Sequence, residues 1–255
     1  EPVVGDWANR YDRPVADVNA PRTRRSDDEI HRARAAYYGN ITFIDHQIGR
    51  VLYELQKRDP SALNTLMLFT SDHGDMMGDH HHWRKTYAYE GSARIPLLLS
   101  CPRDWGLGEA QVQEAPVELR DIMPTFLEAA GVDIPDSVDG RSLLGLVRGT
   151  EGEGEEWRSF VQGEHTTCYD REHGMQYLTD GREKYIWFHH TGEEQFFDLS
   201  TDPGECTDLS KDPSVASRLQ SWRRRLAEID ENRGDPRGRD GELVVQPQGA
   251  LALSP

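Results

Sequence analysis

The 255-residue sequence predicts an α/β fold with a parallel sheet, completed by a small C-terminal antiparallel sheet with a packed helix. Three observations predict it. A long amphipathic helical pattern leads into a continuous apolar run, the succession of helix and buried strand from which α/β domains are built. Beyond residue 158, short strand-like segments follow one another with turn residues between them. A last helical pattern then closes the chain before a Gly/Pro-rich tail.

Residues 1–25 carry three prolines and little periodicity, so they read as an irregular lead-in that wraps over something larger. Ser26 with Glu29 fits the S-x-x-E capping box, and Ile30, Ala33, Tyr37, Ile41, Ile44, Ile48 and Leu55 recur at three- and four-residue steps down to Asp59-Pro60. This is an amphipathic helix that should lie against a core. Thr65 to Thr70 is a continuous apolar run, as expected of a strand buried on both faces in a parallel sheet, and Ile95 to Ser100 is a second. A helix is expected over Leu119 to Ala130, stopped by Gly131.

The acidic, glycine-bearing tract Glu151 to Glu156 reads as a linker, which divides the chain into 1–150, a small α+β subdomain at 151–231 and a tail at 232–255. In the second part, Ser159–Glu164, Met175–Thr179, Lys184–His189 and Gln195–Leu199 are strand-like, with a hairpin turn at Asp180-Gly181. Pro213 to Ile229 is a helix with Leu219, Trp222, Leu226 and Ile229 on one face. Arg223-Arg224-Arg225 reads as its solvated side.

Asp and Glu outnumber Lys and Arg by 45 to 29, for a formal net charge of −16, which excludes nucleic acid as a general partner. An acidic protein that binds a small anion needs a cation in the pocket to reverse the local potential. The three cysteines, Cys101, Cys168 and Cys206, show no CxxC spacing and read as ordinary thiols. No apolar stretch has the length of a membrane span, no signal region stands at Glu1 to Asp6, and the compartment stays open.

The chemistry gathers between residues 72 and 85, where three aspartates, four histidines and one lysine fall within fourteen positions. Asp72 and His73 leave the apolar run at once, Gly74 lets the backbone turn, and ligands of open α/β sheets sit beyond strand C-termini. Carboxylate oxygen with imidazole nitrogen suits Ca²⁺, Mg²⁺ or Mn²⁺, the imidazole favouring Mn²⁺ over Mg²⁺. Two ligands do not close a site. For His81 and His82 the expectation is plain exposure, and for Asp45-His46 a satisfied pair within the long helix.

Ser71-Asp72-His73-Gly74-Asp75-Met76-Met77-Gly78-Asp79-His80, then Trp83-Arg84-Lys85 and Tyr89-Glu90-Gly91-Ser92-Ala93-Arg94-Ile95-Pro96, resembles the C-terminal signature of type I sulfatases. The His after Asp is similar to choline sulfatases and phosphonate monoester hydrolases. Asp121-Ile122-Met123-Pro124-Thr125, Val138-Asp139-Gly140-Arg141-Ser142-Leu143, Phe197-Asp198-Leu199 and Asp202-Pro203-Gly204-Glu205 extend the resemblance.

The resemblance implies an alkaline-phosphatase-like sandwich, of which the chain would be the C-terminal part, and hydrolysis of a sulfate ester at a divalent metal. It implies Asp72 and His73 as metal ligands, Lys85 as the catalytic contact to the sulfate, and His80 as a group that either packs behind those ligands or binds substrate. The family's nucleophile is a formylglycine made from Cys or Ser in C/S-x-P/A-x-R. That pattern is expected to be absent, Cys101-Pro102-Arg103 not matching it, so the nucleophile and the early Asp-Asp ligands are expected in a missing N-terminal segment, leaving this fragment inactive alone. The rival readings are a phosphate or phosphonate ester hydrolase of the same fold and a non-catalytic metal- or glycan-binding relative.

Overall fold

The computed structural model describes residues 1–60, 64–107, 110–149, 156–166, 169 and 173–246. The linker expected at Glu151 to Glu156 therefore lies outside the described residues except for Glu156, as does Cys168. The chain divides into two compact units, one of Glu1–Arg25, His73–Arg94 and Phe160–Pro255, the other of Ser26–Asp72 and Ile95–Ser159.

In the unit that begins at Ser26, helix α1 runs over Asp27–Arg58. The capping box forms as expected: the Ser26 hydroxyl accepts the Glu29 N–H, and Glu29 takes the Ser26 N–H in return at 2.9 Å. Three acidic residues in the first turn and Lys57 and Arg58 in the last match the helix dipole. The expectation that its apolar stripe lies against a core is met only in part among the described residues: Ile30 is buried and Ala33, Ile48 and Leu55 are half-buried, whereas Tyr37, Ile41 and Ile44 are exposed. Asp45 and His46 are likewise exposed rather than a helix-core pair.

Strand β1 (Met67–Thr70) pairs with β2 (Leu97–Ser100), Leu68 opposite Leu99 and Phe69 opposite Leu98. The pairing is antiparallel, which corrects the expected parallel arrangement; Phe69 and Leu98 are exposed, so neither strand is buried on both faces among the described residues. A continuous apolar run reports the tendency to be a strand and says nothing about the direction of its neighbour. Helices α2 (Glu90–Ala93), in the other unit, and α3 (Ile122–Ala129) and α4 (Leu144–Arg148) follow. Buried Asp121 precedes α3, taking the N–H groups of Glu118 and Arg141 and a two-nitrogen ion pair from Arg158 at 2.5 and 2.6 Å.

The other unit is built on an antiparallel sheet in the order β3 (Val161–His165), β4 (Met175–Thr179), β5 (Glu183–Phe188) and β6 (Glu194–Asp198). Gly181 at φ 85° makes the hairpin between β4 and β5. Alternation along the strands serves two layers. Leu178, Tyr185, Trp187 and Phe196 pack on Leu219, Trp222 and Leu226 of α5 (Ala216–Arg233), while Met175, Ile186, Phe188 and Phe197 pack on Met76, Tyr87 and Tyr89. The loop after His73 is thus bolted to the small sheet. Arg223 and Arg225 are not a purely solvated face: Arg223 pairs with Glu194, and Arg225 lies over the rings of Phe160 and Trp222. A short hairpin, β7 (Gly238–Arg239) with β8 (Glu242–Leu243), closes the described chain.

Candidate active site

Ser71 and Asp72 follow β1 directly and belong to its unit. His73 belongs to the other unit and has both ring nitrogens engaged. Its Nδ1 lies 2.8 Å from the Gly74 carbonyl oxygen, and its Nε2 lies 2.7 Å from Nζ of Lys85. A carbonyl only accepts and an ammonium only donates, so the imidazole carries its proton on Nδ1 and presents a lone pair at Nε2. That tautomer is the one a metal-binding histidine needs. Lys85, twelve residues on, is exposed and reaches the same point.

The backbone between them is unusual. Met77, His80, His81, Arg84 and Thr86 all have φ between 52° and 77°, a region costly for residues other than glycine and most of all for β-branched Thr86. Strain of about 1 kcal/mol or more at each persists only where the surroundings enforce it. Here the lead-in does so, and the expectation that it wraps over something is met: Trp83 N–H donates to Pro21, Thr23 N–H to His81, His80 N–H to Val3, and Val3 N–H to the Asp79 carboxylate, at 2.7 to 2.9 Å. Within the loop, Met76 N–H reaches Arg84 at 2.7 Å and Gly78 N–H reaches His82 at 2.9 Å.

His80 is a buried packing group in this arrangement. It is 2% exposed, accepts the Gly5 N–H at 3.0 Å on Nδ1, and lies 4.6 Å from the Trp7 ring. Burial lowers its pKa to about 4. His82 is 1% exposed and wedged edge-on between Tyr11 and Tyr87, with Nδ1 2.6 Å from the His80 carbonyl oxygen; burial holds it neutral as well. The expectation of exposure fails for His82, and His81 is half-buried. The aromatic neighbours that bury them come from residues 7, 11, 87 and 89, which no local pattern around position 80 could reveal.

Sequence reasoning missed Ser92. Buried in α2, it takes the Gly74 N–H on its carbonyl oxygen at 2.9 Å and the Tyr87 N–H on its hydroxyl at 3.3 Å. The Tyr89-Glu90-Gly91-Ser92 motif held the signal without its meaning. A carboxylate and an imidazole from consecutive residues fit the chemistry of a divalent cation, which would take His73 Nε2 in place of the Lys85 N–H that this nitrogen accepts here. Two donors make part of a shell. Among the described residues, no three or more His, Cys, Asp or Glu side chains surround a common point.

Neither described cysteine is activated: burial raises the thiol pKa of both Cys101 and Cys206, which disfavours the thiolate. The pattern C/S-x-P/A-x-R, expected to be absent, does occur once, as Ser214-Val215-Ala216-Ser217-Arg218 at the entry to α5.

The α/β fold resembles that of the alkaline phosphatase and sulfatase superfamily. A phosphonate monoester hydrolase from Silicibacter pomeroyi superposes with a TM-score of 0.72 at 30% identity, over 88% of this chain and 46% of that one. The chain belongs to the family described as N-sulphoglucosamine sulphohydrolase, C-terminal, whose model matches residues 78–232, and the Sulfatase model matches residues 6–132.

An arylsulfatase of Clostridium perfringens is 44% identical over 89% of this chain and 46% of its own length. A multifunctional alkaline phosphatase superfamily protein, PehA of Trinickia caryophylli, is 35% identical over 77% and 40%. The chain thus spans less than half the length of these relatives.

The two family matches correct several expectations together. They run from residue 6 to residue 232, so sulfatase-domain sequence is not confined to a C-terminal part. The expectations of a formylglycine-bearing segment missing from the chain, and of inactivity for that reason, are corrected by the Sulfatase match to residues 6–132.

Proposed function

We propose that this chain serves the hydrolysis of sulfate esters at a divalent cation, Ca²⁺ or Mn²⁺ before Mg²⁺, with Asp72 and His73 as ligands and Lys85 as the cationic contact to the sulfuryl oxygens. The observation that carries this reading is the 2.7 Å approach of Lys85 Nζ to His73 Nε2, which joins two groups that the motif singled out separately. A bound divalent cation supplies charge to polarise the ester and its attacking group.

The residues of the chain supply orientation. The Gly74 carbonyl keeps the His73 proton on Nδ1 and the Nε2 lone pair forward. The Lys85 ammonium has three N–H donors; with a cation on Nε2 it would give up its bond to the imidazole, and its donors would serve the negative charge that builds on a bound ester. Asp72 enters on its place beside His73 in the sequence and on its hard-oxygen chemistry. His80 belongs to the packing behind the loop and leaves the list of substrate contacts. The likeness to the Silicibacter enzyme supports an alkaline-phosphatase-like sandwich as the finer description of the fold.

Phosphonate esters are the second reading, favoured by the same likeness. Sulfuryl and phosphoryl groups share transition-state geometry and differ in charge, which the groups at this site do not separate. The test is the rate of the metal-loaded protein on an aryl sulfate and on the matching aryl phosphonate, with His73→Ala as control. Faster sulfate turnover lost in the control supports the proposal. Preference for the phosphonate moves it to the second reading, and bound metal without turnover of either ester leaves a binding role.

A further inference from the structure

The small sheet reaches the candidate site through an ion-paired bracket. Lys184 on β5 is fully buried, with its ammonium 2.7 Å from one carboxylate oxygen of Glu90 and 2.8 Å from one of Glu205. The other Glu205 oxygen accepts the Glu90 N–H at 2.7 Å, so the three residues close a ring. Arg94 adds a longer pairing to Glu90 at 3.4 Å, which balances two anions with two cations. Glu205 is held at φ 52°, with its carbonyl receiving the Trp7 indole N–H at 2.7 Å; a strained backbone thus aims this carboxylate inward.

We infer that Lys184 is a positioning residue for His73 and Lys85, acting through Glu205 and Glu90 on the short helix that holds both arms of their loop. The inference rests on the reading of His73 and Lys85 as site residues. Helix α2 has four residues, too few to hold itself in place. Glu90 begins it, and Ser92 two positions later receives Gly74 N–H, next to His73, and Tyr87 N–H, two residues after Lys85. Gly74 is seated so closely on Gly91 that a Cβ there would overlap the Gly91 carbonyl oxygen. A shift of α2 therefore moves both arms.

Stability alone does not account for such a bracket. Buried ion pairs are often no more stabilising than apolar packing of equal volume, because desolvation offsets the attraction. What an apolar core lacks is direction: a lysine between two carboxylates, one of which also takes a backbone N–H, fixes the rotation of α2 as well as its depth. Lys184 and Glu205 are remote from the 72–85 cluster in sequence, which is why no motif there announces them.

The test compares the wild-type protein with Lys184→Met combined with Glu205→Gln, which removes one buried charge of each sign. Amide hydrogen exchange is read at Gly74, Tyr87 and, as reference, Leu178 on β4, and imidazole nitrogen shifts are read at His73. The expectation is exchange about tenfold or more faster at Gly74 and Tyr87 with Leu178 unchanged, and loss of the single Nδ1–H tautomer.

Turnover of the aryl ester is expected to fall about tenfold in kcat with KM nearly unchanged. Unchanged exchange at Gly74 and Tyr87, or acceleration at all three amides alike, overturns the inference. Should the double variant not fold, Glu205→Gln alone is read in the same way. A wild-type protein with no turnover counts against the proposed function, whereas the exchange and imidazole results still decide the role of Lys184.

Discussion

Gly74 rests directly on Gly91, its N–H donating to the carbonyl of the next residue, Ser92, at 2.9 Å. The close approach leaves no space for a side chain at position 74, and backbone rather than a yielding side chain stands in the way. Gly74→Ala must therefore separate the two segments. We expect a loss of about 1–3 kcal/mol, as for other overpacked sites, together with loss of turnover, because His73 moves with its neighbour. Thermal melting and kinetics on one preparation check this. Gly39→Ala, with open space around it, is the control and should raise stability slightly.

The buried histidines set an acid limit. His80 has its pKa lowered to about 4 by burial, against an ordinary value of 6.5 when unfolded. Its neutral form therefore favours the folded protein fully above pH 6.5, and that contribution is lost as pH falls through 4. Between pH 7 and pH 5 the loss amounts to about 2 kcal/mol for this one group. His82, held neutral more strongly, and His189, lowered to about 4, act in the same direction. Asp230, raised to about 6 by burial, acts in the opposite one, since its protonated form favours the fold and stability from it fades as pH rises through 6. Denaturant unfolding at pH 7 and pH 5 should show a smaller drop for His80→Gln, whose amide oxygen can still accept the Gly5 N–H. Equal drops would mean that His80 titrates normally.

Why some of this was legible in the sequence and some not is itself physical. The Ser26–Glu29 capping box, the strand periods from Met175 to Asp198 and the Leu219–Trp222–Leu226 face depend on neighbours within a few positions, and each forms where its pattern lies. His82 and Lys184 depend on partners up to 94 positions away, and their burial left no local trace. The direction of the β1–β2 pair and the partial exposure of the α1 stripe are likewise set by neighbours, which an apolar run does not name. Asp72, His73 and Lys85 were legible as a motif; that His73 and Lys85 meet through Nε2 and Nζ was not.

Metal binding should follow Asp72 and His73 and ignore the histidine run. Calorimetry with Mn²⁺ and Ca²⁺ is expected to show binding weakened about tenfold or more in Asp72→Ala and in His73→Ala, as for loss of a ligand or its support. His81→Ala should bind like the parent. Tight binding lost in His81→Ala and kept in Asp72→Ala would move the site to residues 80–82.

Lys85→Ala is expected to lower turnover far more than it lowers metal content or stability. Its side chain is exposed, and its described hydrogen bond goes to His73 rather than to a surface carboxylate such as Asp79, whose Oδ1 receives the Val3 N–H. An exposed charge of this kind contributes at most about 1 kcal/mol to stability, so the melting temperature should barely move. Removing one positioned donor to transition-state charge costs about 2.7 to 4 kcal/mol, a hundred- to thousandfold in rate. Lys85→Arg separates charge from placement: the planar guanidinium keeps the charge but cannot occupy the point at which the ammonium meets Nε2. It should recover only part of the rate. Turnover, bound metal and melting temperature are measured on the same preparations. Near-normal turnover in Lys85→Ala with metal retained would assign Lys85 to the surface and leave His73 without a cationic partner in the reaction.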